Sequence, residues 1–157
     1  KFAYGNIQAL GGGLGMLAFG PLAVWLGRKR TFVCYHVAAV IVVPLTCFAP
    51  VTYGQLLALL PLYGFVTLGI HAGYAVYFPE LFPTSVRATG QGFCFNFGRL
   101  IAAIGSLQLA NLTGLFAGGD IPAFQSSANA YSALCLVYVL GLALVWFAPE
   151  TRGKTLD

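Results

Sequence analysis

Between Arg30 and Glu80 the chain carries no Asp, Glu, Lys or Arg, and between Lys1 and Arg28 it carries none either. Further uncharged stretches run from Arg99 to Asp120 and from Asp120 to Glu150. About 20 apolar helical residues cross a hydrocarbon core about 30 Å thick, so each gap holds one or two crossings. A water-soluble domain usually carries about 25% charged residues. Here the charged fraction is 8% and the hydrophobic fraction 59%, too few charges to cover a soluble globule. Low charge with high hydrophobicity also excludes disorder. The 20 glycines follow no three-residue period, and the 4 cysteines form no CxxC pair; neither a collagen nor a disulfide scaffold fits. The chain reads as an all-α integral membrane protein partnered by the lipid bilayer, with no nucleic-acid partner.

The punctuation predicts five transmembrane helices in a single domain, at about residues 5–26, 31–49, 55–78, 86–117 and 129–147. Gly27-Arg-Lys-Arg30 is too charged to remain in lipid, and Pro50-Val-Thr-Tyr-Gly54 is a turn between apolar runs. Phe78-Pro-Glu-Leu-Phe-Pro83 carries two prolines that interrupt helical bonding, and Gly118-Gly-Asp-Ile-Pro122 is a polar loop. A transmembrane barrel needs strict alternation of polar and apolar side chains, which Ala38-Ala-Val-Ile-Val-Val43 lacks.

Five crossings put Arg28, Lys29, Arg30, Arg87, Arg152 and Lys154 on one side of the membrane, with Lys1 and Asp120 on the other. By the bias of Lys and Arg toward the inside, the basic side and the C-terminus are expected to be cytoplasmic. No basic, apolar and small-residue series of a signal peptide opens the chain, which starts with Lys directly before a helix and reads as a fragment. Gly11 and Gly15, Gly69 and Gly73, and Gly114 and Gly118 stand four apart, placing small residues on one helix face where another backbone can approach. Cys34, Cys47, Cys94 and Cys135 read as small apolar residues, no metal site is expected, and His36 reads as interfacial.

Three stretches carry a family resemblance. Gly20-Pro-Leu-Ala-Val-Trp-Leu-Gly-Arg-Lys-Arg30 resembles the G-x-L-x-D-x-x-G-R-[KR]-[KR] loop of the major facilitator superfamily, with Val24 where the family usually has an acid. Pro79-Glu-Leu-Phe-Pro-Thr-Ser-Val-Arg-Ala-Thr-Gly90, continuing to Gly98-Arg99, resembles the loop and eleventh helix of its sugar and metabolite (organic acid) proton porters. Pro149-Glu-Thr-Arg-Gly-Lys-Thr155 is similar to the P-E-T-[KR]-G-[KR] sequence that follows their last helix. The resemblance covers nearly the whole chain. It implies helices 8 to 12 of a twelve-helix transporter, part of the C-terminal six-helix bundle, with the N-terminal half and helix 7 absent. In that family the two halves rock about a central cavity.

By the same resemblance Arg28, Arg30, Glu80, Arg87, Glu150 and Arg152 form a cytoplasmic gate of ion pairs. Exposed pairs of about 0–1 kcal/mol each suit a latch that opens in every cycle. Arg99 lies 12 residues beyond Arg87, about 18 Å along a helix and inside the hydrocarbon. A buried arginine costs at least about 2.5 kcal/mol there, so it faces a wet cavity or partner, or snorkels to lipid phosphates. Asn96 is one turn before it and Gln108 further on. His71 stands near mid-membrane with Tyr63, Thr67 and Tyr74 at helical neighbour spacing, either lining the substrate path or satisfied by a neighbouring helix.

The expected function is part of a secondary active transporter moving a small polar metabolite, a sugar or an organic acid, by alternating access with proton coupling. Its partners are the substrate, H+ and the missing half; the membrane is expected to be the bacterial inner membrane. Aromatics and amides suit a sugar, whereas Arg99 and His71 suit a carboxylate. No cofactor is expected, and no catalytic constellation such as HExxH is visible, so an enzyme is not expected. The alternative is a non-transporting membrane subunit or a degenerate half-transporter.

Overall fold

A computed structural model of the chain describes residues 2–117, 123–151 and 153. Among these residues six helices follow one another: α1 (Phe2–Leu26), α2 (Arg28–Phe48), α3 (Tyr53–Leu81), α4 (Arg87–Phe116), α5 (Ala123–Leu134) and α6 (Leu136–Phe147). No strand occurs among the described residues. Residues 125–147 of α5 and α6 form one apolar run, so five spans are long and apolar enough to cross a membrane. The chain is an all-α membrane protein.

Several helix ends differ from the sequence expectation, each for a local reason. Arg28, Lys29 and Arg30 form the first turn of α2 instead of a loop, and the break shrinks to Gly27. Gly27 takes φ 97°, a left-handed conformation that a side chain disfavours. α3 runs past Pro79 to Leu81, so the interruption falls at Pro83. Thr52 caps its start: its hydroxyl accepts from the Gln55 backbone N–H at 3.3 Å, and the Gln55 side-chain oxygen accepts from the Thr52 N–H at 3.1 Å. The last span contains a joint at Cys135, where the Tyr138 N–H bonds the Cys135 carbonyl at 2.9 Å in a tighter turn.

Packing is closest between α1 and α3. A side-chain carbon at Gly11 would strike the Pro61 carbonyl, one at Gly15 the Phe65 carbonyl, and one at Gly64 the Gln8 carbonyl. Bare backbones therefore meet, as small residues permit between membrane helices. Gly69 and Gly73 receive the rings of Tyr35 and Phe19. Gly64 carries this interface without belonging to a spaced pair, while Gly114 meets nothing and Gly118 lies outside the described residues.

Below the glycines sits an aromatic core. Phe19 meets Phe32 at 5.1 Å and Tyr35 at 5.2 Å between ring centres, and the Tyr35 hydroxyl donates to the Gly15 carbonyl at 2.9 Å. His36 is buried beside this core, 2% exposed. Its Nδ1 lies 2.8 Å from the Phe32 carbonyl one turn back, and Gly141 of α6 leaves room for its other edge. α4 differs from its neighbours, since none of its described side chains is buried. Among the described helices it touches α3 and α5 only.

Candidate functional site

Antiparallel succession brings the ends of α1, α3 and α6 beside the starts of α2 and α4, and the charges gather there. Arg28 is the hub. Its Nη2 lies 2.8 Å from Glu80 Oε1, its Nε donates to both Glu80 oxygens at 3.2 and 3.3 Å, and its Nη1 donates to the Ala23 carbonyl at 3.1 Å. The two charged side chains are only 17% and 13% exposed, so the pair is largely withdrawn from solvent. The planar fork of arginine suits this paired contact with a carboxylate.

Glu150 does different work. Its Oε1 accepts the Arg28 backbone N–H at 2.9 Å and its Oε2 the Lys29 backbone N–H at 3.2 Å. A carboxylate from the far end of the chain thus caps α2, where orphan N–H groups and the helix dipole favour negative charge. This is why the basic residues are helical. Gly27 is favoured by its positive backbone angle, and a side-chain carbon there would stand 2.9 Å from Glu150 Oε2, which would have to shift. Val24, in the position the family usually gives an acid, faces outward, and Glu80 and Glu150 supply the negative charge instead.

Further contacts tie the 149–151 segment down. The Thr151 hydroxyl donates to Glu80 Oε2, and the Tyr77 hydroxyl donates to the Pro149 carbonyl at 2.6 Å. Lys29 donates from Nζ to the Trp146 carbonyl at 2.5 Å and lies 5.3 Å from the centre of that ring. Arg87 Nε donates to the Pro79 carbonyl at 3.0 Å, closing the end of α3. Arg30 is exposed, and Arg152 lies outside the described residues. The sequence reading missed Gly27, Tyr77 and Thr151, although Thr151 stands within the P-E-T motif and Gly27 directly before the basic run.

Above the cluster, a cavity of about 610 Å³ opens between α2, α3, α4 and α6. His71 and Tyr74 reach it from α3, Arg99 from α4 and Lys29 from α2. Phe32, Tyr77, Phe78 and Phe95 supply aromatic walls, and no carboxylate is among the described residues that line it. The other expected path residues stand elsewhere. Tyr63 lines a second cavity at the opposite end. The Thr67 hydroxyl donates to the Tyr63 carbonyl at 2.7 Å, and Asn96 Nδ2 to the Gly92 carbonyl at 2.8 Å, each within its own helix. Gln108 is exposed and accepts from Asn111 at 3.0 Å. Among the described residues, no three His, Cys, Asp or Glu side chains are grouped to hold a metal ion.

Known proteins resemble the chain along most of its length. A Haemophilus influenzae protein named for metabolite transport is 30% identical over 145 residues, 91% of this chain and 33% of the relative. A Cupriavidus pinatubonensis protein named for 4-methylmuconolactone transport is 31% identical over 152 residues, 96% of this chain and 33% of the relative. The chain belongs to the major facilitator superfamily. The cis,cis-muconate transport protein of Acinetobacter baylyi is 38% identical over 109 residues, 69% of this chain and 25% of that relative. The chain therefore spans a third or less of the length of these relatives. No family model matches it, and no solved structure does.

Proposed function

We propose that this chain is the part of a twelve-helix secondary transporter corresponding to helices 8 to 12, and that the whole protein moves a small organic anion across the membrane by alternating access. The observation that carries the anion is the 610 Å³ cavity with Lys29, His71 and Arg99 on its walls and no acid among the described residues that line it. A carboxylate entering it finds guanidinium and ammonium donors, which bind carboxylates through charge-assisted hydrogen bonds. Its aromatic walls suit an unsaturated carbon skeleton. The relatives named for muconate and methylmuconolactone transport support the same class over a sugar.

In this reading the Arg28–Glu80–Glu150 cluster lies at the cytoplasmic end of a bacterial inner-membrane protein. It holds the inner helix ends together while the cavity faces outward, with Arg30, Arg87 and Arg152 as further members. The remaining expected residues Asn96, Tyr63, Thr67 and Gln108 border the route only after the helices move. Proton coupling belongs to the same proposal, with the titrating acid supplied by the other half of the polypeptide. Uptake of labelled cis,cis-muconate and labelled glucose by the complete protein, with and without a protonophore, tests it. Muconate uptake that collapses with the protonophore is expected; glucose uptake, or no uptake of either, overturns the anion reading.

A further inference from the structure

Lys29 and Arg99 reach the 610 Å³ cavity from different depths. The starts of α2 and α4 lie at one level, because Arg28 bonds Glu80 and Arg87 bonds the Pro79 carbonyl, two neighbours at the end of α3. Lys29 is in the first turn of α2, and the Trp146 carbonyl near the end of α6 holds its Nζ on the charged side of the cavity. Arg99 lies 12 residues beyond Arg87, about 18 Å further along a helix axis. A side chain of about 7 Å leaning back along α4 still leaves its guanidinium about 10 Å from the starting level. One carboxylate with a hydrogen bond of about 2.8 Å on each side spans only about 8 Å. An extended six-carbon chain with a carboxylate at each end, bonded at both, spans about 12 Å.

The wall between the two cations suits the middle of such a molecule. Phe32 stands one turn beyond Lys29 and meets Tyr74 at 5.3 Å between ring centres, and Tyr74 stacks on Phe78 at 5.3 Å. All three line the cavity. Lys29 is also suited to exchange its partner. An ammonium has three donors; one is given to the neutral Trp146 carbonyl, with the indole centre 5.3 Å away. A carboxylate arriving there offers a charged acceptor, which makes the stronger bond. We infer that the cavity takes an extended dicarboxylate, with Arg99 beside one carboxylate and Lys29 beside the other, so that Lys29 sets a preference for two carboxylates over one. This inference rests on the anion reading and narrows it.

Two matched acids test it. trans,trans-Muconate and sorbate share a six-carbon diene and one carboxylate; the other end is a carboxylate in muconate and a methyl in sorbate. Both are titrated calorimetrically into the purified full-length protein and into its Lys29→Gln variant. The unmodified protein should bind muconate at least about tenfold more tightly than sorbate, as a further charge-assisted pair provides. Lys29→Gln should reduce that preference to about twofold or less. Equal affinity for the two acids in the unmodified protein, a comparison independent of any substitution, overturns the inference and leaves the anion reading intact. A preference that survives Lys29→Gln overturns the assignment to Lys29. Binding of neither acid refutes the anion reading itself, and the inference falls with it.

Discussion

Gly64→Ala tests the closest packing in the molecule. The added methyl would point at the Gln8 carbonyl and stand 3.0 Å from the Gly12 backbone nitrogen. Both neighbours are main chain, so no rotamer change relieves the clash and α1 must shift away from α3. Overpacking of this kind costs about 1–3 kcal/mol. The upper part of that range is expected here, since displacement also loosens the Gly11 and Gly15 contacts on the same face. Two kcal/mol is a change of about thirtyfold in the folding equilibrium. Gly114→Ala is the internal comparison, because a methyl there meets nothing within 4 Å. Exchanging glycine for alanine in an open helical position is worth about 0.5–1 kcal/mol in favour of alanine. Unfolding of the full-length protein in mixed micelles, followed by tryptophan fluorescence, reads both variants. Gly64→Ala should unfold at clearly lower denaturant and Gly114→Ala at equal or higher denaturant. Equal destabilisation of the two would refute the argument that α1 and α3 meet backbone to backbone.

Gly27→Ala forces a left-handed angle on a residue with a side chain, at about 1–2 kcal/mol, and pushes on Glu150; a lowered melting temperature is the expected result, and an unchanged one contradicts the cap. Glu80→Gln removes one partner of a largely withdrawn ion pair, a change that costs about 3–5 kcal/mol where the pair is fully buried and less here. In the proposed gate this variant raises the reactivity of cysteine probes placed at the charged end, and unchanged reactivity counts against that role. His71→Phe keeps the cavity wall aromatic but removes a hydrogen-bonding group, so anion uptake should fall while glycine-interface stability stays the same; full uptake would remove His71 from the path.

The span architecture was legible because the bilayer imposes it: charge is excluded from lipid, and so few charges remain that they mark the helix ends by themselves. The meeting of Arg28, Glu80 and Glu150 was foreshadowed only through the motifs, since nothing in their spacing tells which carboxylate pairs with a guanidinium and which caps a helix. That division depends on where residue 150 returns to the bundle. For the same reason the sequence placed Arg28–Arg30 in a loop: without Glu150, three cations at a helix start oppose the dipole. Gly64 escaped notice because spacing within one helix reveals small faces but not the partner backbone they meet. Of the expected path residues on α3, Tyr63 lines one cavity and His71 and Tyr74 the other, because helical neighbour spacing fixes position along α3, whereas the facing helix is set by tertiary packing. Tyr63 and Tyr74 stand 11 positions apart in sequence and open onto opposite ends.

Arg99 bears the central claim, that a cationic cavity among these helices receives an organic anion. Titration calorimetry of cis,cis-muconate into the purified full-length protein, beside its Arg99→Gln variant with an unchanged melting temperature, tests that claim most directly. Losing a charge-assisted pair with a carboxylate, about 1.5–3 kcal/mol, should weaken binding by tenfold or more. Equal affinity in the two proteins would contradict it.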